Sequence, residues 1–280
     1  MTYRSVLVFL DAEPACAART RLALRLARDL DCHLVGVAPT GLVDLPASPE
    51  AAAALTEYAN IAWDTLRDEA EQSAEAFRKA CREAGLKSFE AVVDENEQAR
   101  SLVRHAHCSD LTVLSQADPA AAGHRNAQAL LEEVVLTSAR PTLIVPYAGR
   151  FERVAGTALV AWDDGREAAR ALADALPLLR LAKSVQVVRW REAGEEPDET
   201  LRPNLEALHR WLLWQGVAAE VQVETTGIDI ADAMLSRAAD LNAELIVMGA
   251  YGHPRWAERV LGGATRGLLA SMTVPVLMSH

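Results

Sequence analysis

The feature that most limits how this chain can fold is a register it keeps with itself. Leu111–Ser115 and Leu245–Gly249 are short apolar runs 134 residues apart. Pro141 and Pro275, each just before another apolar run, are separated by the same interval. The loop and helix enclosed between these marks therefore have equal length in two copies. Short apolar runs alternate with helix-period segments on either side. In the first half the strand signals are Ser5–Leu10, His33–Ala38, Phe89–Val93, Leu111–Ser115 and Thr142–Val145. Helical stretches fall between them at Ala15–Leu30, Glu50–Ala84, Gln98–His107 and Ala127–Ser138. The second half repeats the order. Its strand signals are Thr157–Trp162, Ser184–Trp190, Val221–Thr225, Leu245–Gly249 and Val274–Met278, and its helical stretches are Glu167–Leu181, Asp198–Gln215, Ile230–Leu241 and a segment opened by Ala264 and Thr265. Gly85 and Gly216 stand where helix C-caps belong. Strands alternating with helices predict right-handed βαβ units and a parallel sheet in each half. The division falls near Gly149–Gly156.

The chemistry is concentrated in Leu245–His280. There an apolar run stops at Gly249, Gly252 follows, and after nine residues Gly262 and Gly263 open a helical segment. Glycine lets backbone approach a ligand closely and permits positive φ. A helix N-terminus adds unpaired N–H groups and the positive end of a dipole. Strand, glycine loop and helix together suit phosphate. No lysine follows Gly262 or Gly263, as a P-loop requires, and the spacing is not G-x-G-x-x-G. In the other copy Gly249 aligns with Ser115, Gly252 with Asp118 and Gly262 with Gln128. Asp118, Glu132 and Glu133 would repel phosphate there. One half reads as a binding site, the other as a partner domain.

Charge and composition narrow the functions further. The formal net charge of −11 argues against nucleic acid and against an anionic membrane surface, while leaving room for a compact basic pocket. The four cysteines have no CxxC spacing and read as reduced thiols of a cytoplasmic protein. Val6–Leu10 is too short for a signal-peptide core, and no apolar run reaches membrane-spanning length.

The pattern Gly249-x2-Gly252-x9-Gly262 resembles the nucleotide loop of the universal stress protein family, G-x2-G-x9-G-(S/T). Gly263 stands where that family has a hydroxyl; Thr265 lies two residues on. The resemblance covers nearly the whole chain and implies a tandem protein. Its fold would be α/β, with two five-stranded parallel-sheet domains, residues 1–149 and 150–280, each adenine nucleotide alpha hydrolase-like with strand order 3-2-1-4-5. It implies ATP, or ADP or AMP, with Mg as a companion ion, across the C-terminal strand ends of the second domain. Asp163 would contact the nucleoside, and Trp190 and Met248 would line the base pocket. Gly249, Gly252, Gly262, Gly263, Ala264 and Thr265 would cradle phosphate, with His253 and Arg255 reaching its oxygens. Asp164 is expected to cap the following helix or face solvent. On this reading Gly252→Val and Gly262→Val abolish binding and spare the fold. The function implied is a switch or sensor in the stress response, with slow hydrolysis at most.

The rival is a scaffold of the same fold that binds protein and no nucleotide. An enzyme of a related adenine-nucleotide fold is a third reading, disfavoured because no SGGxDS-like or HIGH-like motif is present. His105 and Cys108 share a helical face and His107 does not, so a zinc site lacks its usual paired spacing. The two closing strands each follow a proline and suit sheet edges. Apolar edges invite pairing, so the halves are expected to join through them as an intramolecular pseudo-dimer. A homodimer could use another surface, such as the long first-half helix bearing Trp63 and Phe77.

Overall fold

A computed structural model describes residues 2–41, 56–151, 153–154, 156–194, 201–252 and 263–280. The first half runs β1 (Ser5–Phe9), α1 (Cys16–Asp29), β2 (His33–Pro39), α2 (Thr56–Glu83), β3 (Phe89–Asp94), α3 (Gln98–Ala106), β4 (Leu111–Ser115), α4 (His124–Thr137) and β5 (Thr142–Val145). The second runs β6 (Thr157–Ala161), α5 (Arg166–Leu179), β7 (Ser184–Glu192), α6 (Leu201–Trp214), β8 (Ala219–Thr226), α7 (Ile230–Asp240), β9 (Leu245–Gly249), α8 (Gly263–Ser271) and β10 (Val276–Ser279). Gly85 and Gly216 adopt the positive φ of C-caps, +67° and +75°.

All ten strands form one sheet in the order β3-β2-β1-β4-β5-β10-β9-β6-β7-β8. Each half thus has the order 3-2-1-4-5. Every pairing is parallel except the central one, where β5 and β10 run antiparallel with Leu143 opposite Leu277. Pro141 and Pro275 lie just outside these strands. Each proline uses its carbonyl, accepting from Thr112 at 3.0 Å and from Ile246 at 2.9 Å respectively. The residues that would make an apolar edge, Leu143, Ile144, Val276 and Leu277, are fully buried in the seam. Burial of each such side chain is worth about 1.5–3 kcal/mol.

Two apolar cores follow. Helices α1, α2, α5 and α6 cover one face, and α3, α4, α7 and α8 the other. Both cores contain residues of both halves. Polar contacts also cross the seam. Tyr3 Oη donates to the Asp174 carbonyl at 2.6 Å, and Arg170 Nη2 donates to the Ala139 carbonyl at 3.2 Å. Gln116 Nε2 donates to the Leu269 carbonyl at 2.7 Å.

Three expectations need correction. Phe77 is buried in a core and offers no docking surface, whereas Trp63 is half-buried. Strand β7 continues past Trp190 to Glu192, paired with β8 through Arg191↔Thr225 and Glu192↔Thr226. Polar side chains there conceal a strand that its backbone ladder sustains. Strand β10 begins after Pro275, at Val276, because proline has no N–H to donate. The start expected for α2 at Glu50 lies outside the described residues.

Candidate functional site

Where β6 ends, the chain turns sharply into α5. Asp163 Oδ1 accepts from the Gly165 N–H at 2.8 Å, and Gly165 is the N-cap of α5. Asp164 is therefore not the cap. It is exposed, has φ of +64°, and accepts from Asn204 Nδ2 at 3.0 Å. Its neighbour Asp163 is left half-buried at the strand end.

Strand β7 brings Trp190 beside this turn. The indole is 4% exposed and packs in the core that also holds Met234 and Met248. It is at once core and wall, so the packing and lining interpretations of this residue both hold. Strand β9 then ends at Gly249. Tyr251 follows with φ of +58°, and its N–H is held at 3.3 Å by the Thr265 hydroxyl. Thr265, 3% exposed in the first turn of α8, thereby ties that helix to the end of β9.

The glycines also have a packing role. Neither Gly249 nor Gly252 has positive φ. A Cβ on Gly249 would lie 2.6 Å from the backbone of Glu167 and Ala168, and one on Gly252 would lie 2.6 Å from Glu167 Oε2. These glycines let the loop press onto the first turn of α5. Glu167 beneath them is buried and paired with Arg166. Burial opposes its ionisation, yet the Arg166 hydrogen bond, a backbone hydrogen bond and the charges of Arg166 and His280 hold its carboxyl below the usual range. A side chain at Gly252 would press first on the Glu167 carboxylate, the far end of a flexible side chain, whereas one at Gly249 would press on backbone.

These elements enclose a cavity of about 760 Å³. It lies at the C-terminal ends of β6, β7 and β9, where the strand order reverses between β6 and β9, the usual ligand position in an open α/β sheet. Of the residues singled out in the sequence, Asp163, Trp190, Met248, Gly249, Gly252, Ala264 and Thr265 line it. Gly263 is the first residue of α8 and is not among the lining residues. His253, Arg255 and Gly262 lie outside the described residues.

Sequence reading missed Arg189, Glu192, Tyr251, Ile230 and Met234, which also line the cavity. Arg189 was legible in principle, as the neighbour of Trp190 at a strand end. Among the described residues, its Nε and the Tyr251 hydroxyl are buried without hydrogen-bond partners. Burial, with the charge of Glu132, raises the Tyr251 hydroxyl to about 12. Ile230 and Met234 come from α7 and carry no local signal. The cavity offers an acid, a guanidinium, a flat indole, a sulfur-bearing wall and the N-terminal turn of a helix. That set suits a small molecule with an aromatic and an anionic part.

The first half closes the corresponding place. Asp11 stands two residues past β1 as Asp163 does past β6, and its Oδ1 accepts from the Glu13 N–H at 3.1 Å. Arg19, 2% exposed, pairs with Asp11 at 2.6 Å. Its Nε donates to the Phe9 carbonyl at 2.6 Å and its Nη1 to Ser115 Oγ at 3.1 Å. Ser115 is the counterpart of Gly249. The space that remains is about 130 Å³. His105 is engaged by Asp94 at 3.2 Å, and no cluster of metal-ligating side chains occurs among the described residues.

A doubly wound sheet with a switch-point cavity bounded by a strand, a glycine turn and a helix N-terminus defines an α/β protein of the nucleotide alpha hydrolase-like type. Residues 155–280 match the Universal stress protein family. The whole chain is similar to a universal stress protein from Archaeoglobus fulgidus DSM 4304, at 16% identity and a TM-score of 0.64, over 98% of this chain and 95% of that one. It is similar to a putative universal stress protein from Pseudomonas aeruginosa UCBPP-PA14, at 15% identity and 0.61, over 99% and 93%. A functionally unknown protein from Pseudomonas aeruginosa PAO1 matches at 16% and 0.57, over 99% and 92%. No curated protein matches the sequence. The chain thus carries, in tandem, the fold of these proteins.

Proposed function

We propose that the second domain, residues 150–280, binds an adenine nucleotide (ATP, ADP or AMP) as a switch or sensor in the stress response, with residues 1–149 as a non-binding partner domain. The observation that carries this reading is the 760 Å³ cavity at the switch point, which gathers Asp163, Trp190, Met248 and the first turn of α8. Its size is that of a nucleotide-class site. The indole of Trp190 offers a face to a base, Asp163 an acceptor to a ribose hydroxyl, and α8 a positive dipole end to phosphate. A magnesium ion would neutralise the phosphates. Slow turnover at most belongs to the same proposal. No helix among the described residues is long and apolar enough to cross a membrane; residence in the cytoplasm belongs to the same proposal. The test is mass spectrometry of small molecules released on denaturing the purified chain, with titration of ATP into wild type and Trp190→Ala. The expected result is a nucleotide mass and an affinity loss of about tenfold, the scale of stacking one base on an aromatic ring. No nucleotide mass and no heat at millimolar ATP would overturn it.

A further inference from the structure

A second concavity lies on the outer face of α1. The helix carries Arg21, Arg25 and Arg28 at positions i, i+4 and i+7, one exposed stripe. Arg150, from the segment joining the halves, closes the group, and Leu24 and Phe151 form its floor. The concavity is open to solvent and has a volume of about 560 Å³. The chain has an excess of acids, yet α1 carries none before Asp29. Arg25 pairs with Asp29 at 3.0 Å. Among the described residues no carboxylate pairs with Arg21, Arg28 or Arg150. Arg21, Arg28 and Arg150, with no carboxylate partner among the described residues, leave a local excess of positive charge around the concavity that a dense anion relieves.

We infer that this concavity binds a run of linked phosphates, three or more in a row. Guanidinium forks match phosphate oxygens two at a time, which an ammonium cannot do. Arg21 and Arg28 are about 10 Å apart along the helix, the reach of a short phosphate chain. The net charge of −11 disfavours a large acidic partner such as nucleic acid or an acidic protein, because the whole surface then opposes approach. A small anion meets only the charges within about 8 Å at physiological salt, and here those include the arginine group. This site is separate from the switch-point cavity and does not depend on its ligand.

The experiment is calorimetric titration of the full chain with sodium tripolyphosphate at physiological salt. Arg21→Ala/Arg28→Ala and Arg150→Ala remove the exposed cluster. Arg202→Ala/Arg210→Ala removes two exposed arginines on α6 as a control for general charge. The cluster variants should weaken binding by about tenfold or more, since each deletes a charge-assisted contact, and the control should bind as wild type does. A parallel titration with ATP separates the sources. Loss of a second ATP-binding event together with tripolyphosphate binding assigns any triphosphate, and loss of tripolyphosphate binding alone assigns an inorganic chain. Unchanged affinity in the cluster variants would place the anion elsewhere, including at α8, and overturn the inference. So would equal weakening in the control, or no heat in the wild type. None of these results bears on whether an adenine nucleotide fills the other cavity.

Discussion

Arg19 reaches Asp11 at 2.6 Å inside the first half, where the second half has its open cavity beside Asp163. The acid that follows the first strand is present in both copies. In one it is covered by a buried guanidinium that also holds the Phe9 carbonyl and the Ser115 hydroxyl. Titration of the Arg21→Ala/Arg28→Ala chain with ATP should therefore give one site per chain. Two equivalent sites in that variant would mean that the Arg19 network opens, against its burial.

Removing that guanidinium should cost stability more than it gains binding. Arg19→Ala leaves Asp11 and the Phe9 carbonyl without this partner and a void beside the Phe9 ring. A loss of about 2–4 kcal/mol in denaturant unfolding is expected. A loss under about 1 kcal/mol would show that water replaces the side chain freely.

Gly249→Val should lower stability by about 1–3 kcal/mol, because its Cβ would strike backbone atoms of Glu167 and Ala168 that have no freedom to rotate aside. Thermal unfolding of the unliganded chain reads this directly. A variant with wild-type Tm would show that α5 yields.

Asp94 accepts from Ser101, Asn96, Arg104 and His105 at the end of β3. Burial works against its charge, but the Ser101 and Asn96 hydrogen bonds, the Arg104 cation and His105 outweigh it and hold the carboxyl below the usual range. A depressed pKa gives stability that is fully present above the unfolded value of about 3.9 and is lost as pH falls through the folded one. Asp94→Asn should therefore cost about 1–3 kcal/mol at pH 7. The gap to wild type should narrow steadily below about pH 4. A gap that stays constant down to pH 2 would contradict this account.

A charge in the seam should unfold both halves together. Val276 is fully buried opposite Ile144, so Val276→Asp should cost about 3–5 kcal/mol and shift a single transition. Cysteines placed at Thr142 and Met278, which face each other across the seam, should join within one chain under oxidation. Failure of that link, with ready joining between chains, would refute the pairing.

Much of this architecture was legible because period and punctuation are local. Apolar runs ending in Asp163 or Gly249, and helices closed by Gly85 and Gly216, announce themselves over a few residues. The shared interval of 134 residues fixed which segments correspond. Paired edges were also foreseeable, since Thr142–Val145 is too apolar to stand in water. What escaped was whatever depends on a distant partner. Arg19 looks like any helical arginine until Phe9, Asp11 and Ser115 surround it. Gly249 and Gly252 suggested a ligand, whereas the atoms nearest their missing side chains belong to Glu167 and Ala168 of α5. Ile230 and Met234 reach the cavity only because α7 lies against β7 and β9.

The antiparallel seam between β5 and β10 has a thermodynamic consequence. Two separate copies joined this way would part on dilution, since their association is set by concentration. Here the partner travels on the same chain, so the pairing is unimolecular and the melting temperature should not depend on protein concentration. Identical subunits must also change together, whereas these two copies are free to change one at a time. The half that carries Arg19 can give up its opening and remain a permanent structural companion to the half that keeps one.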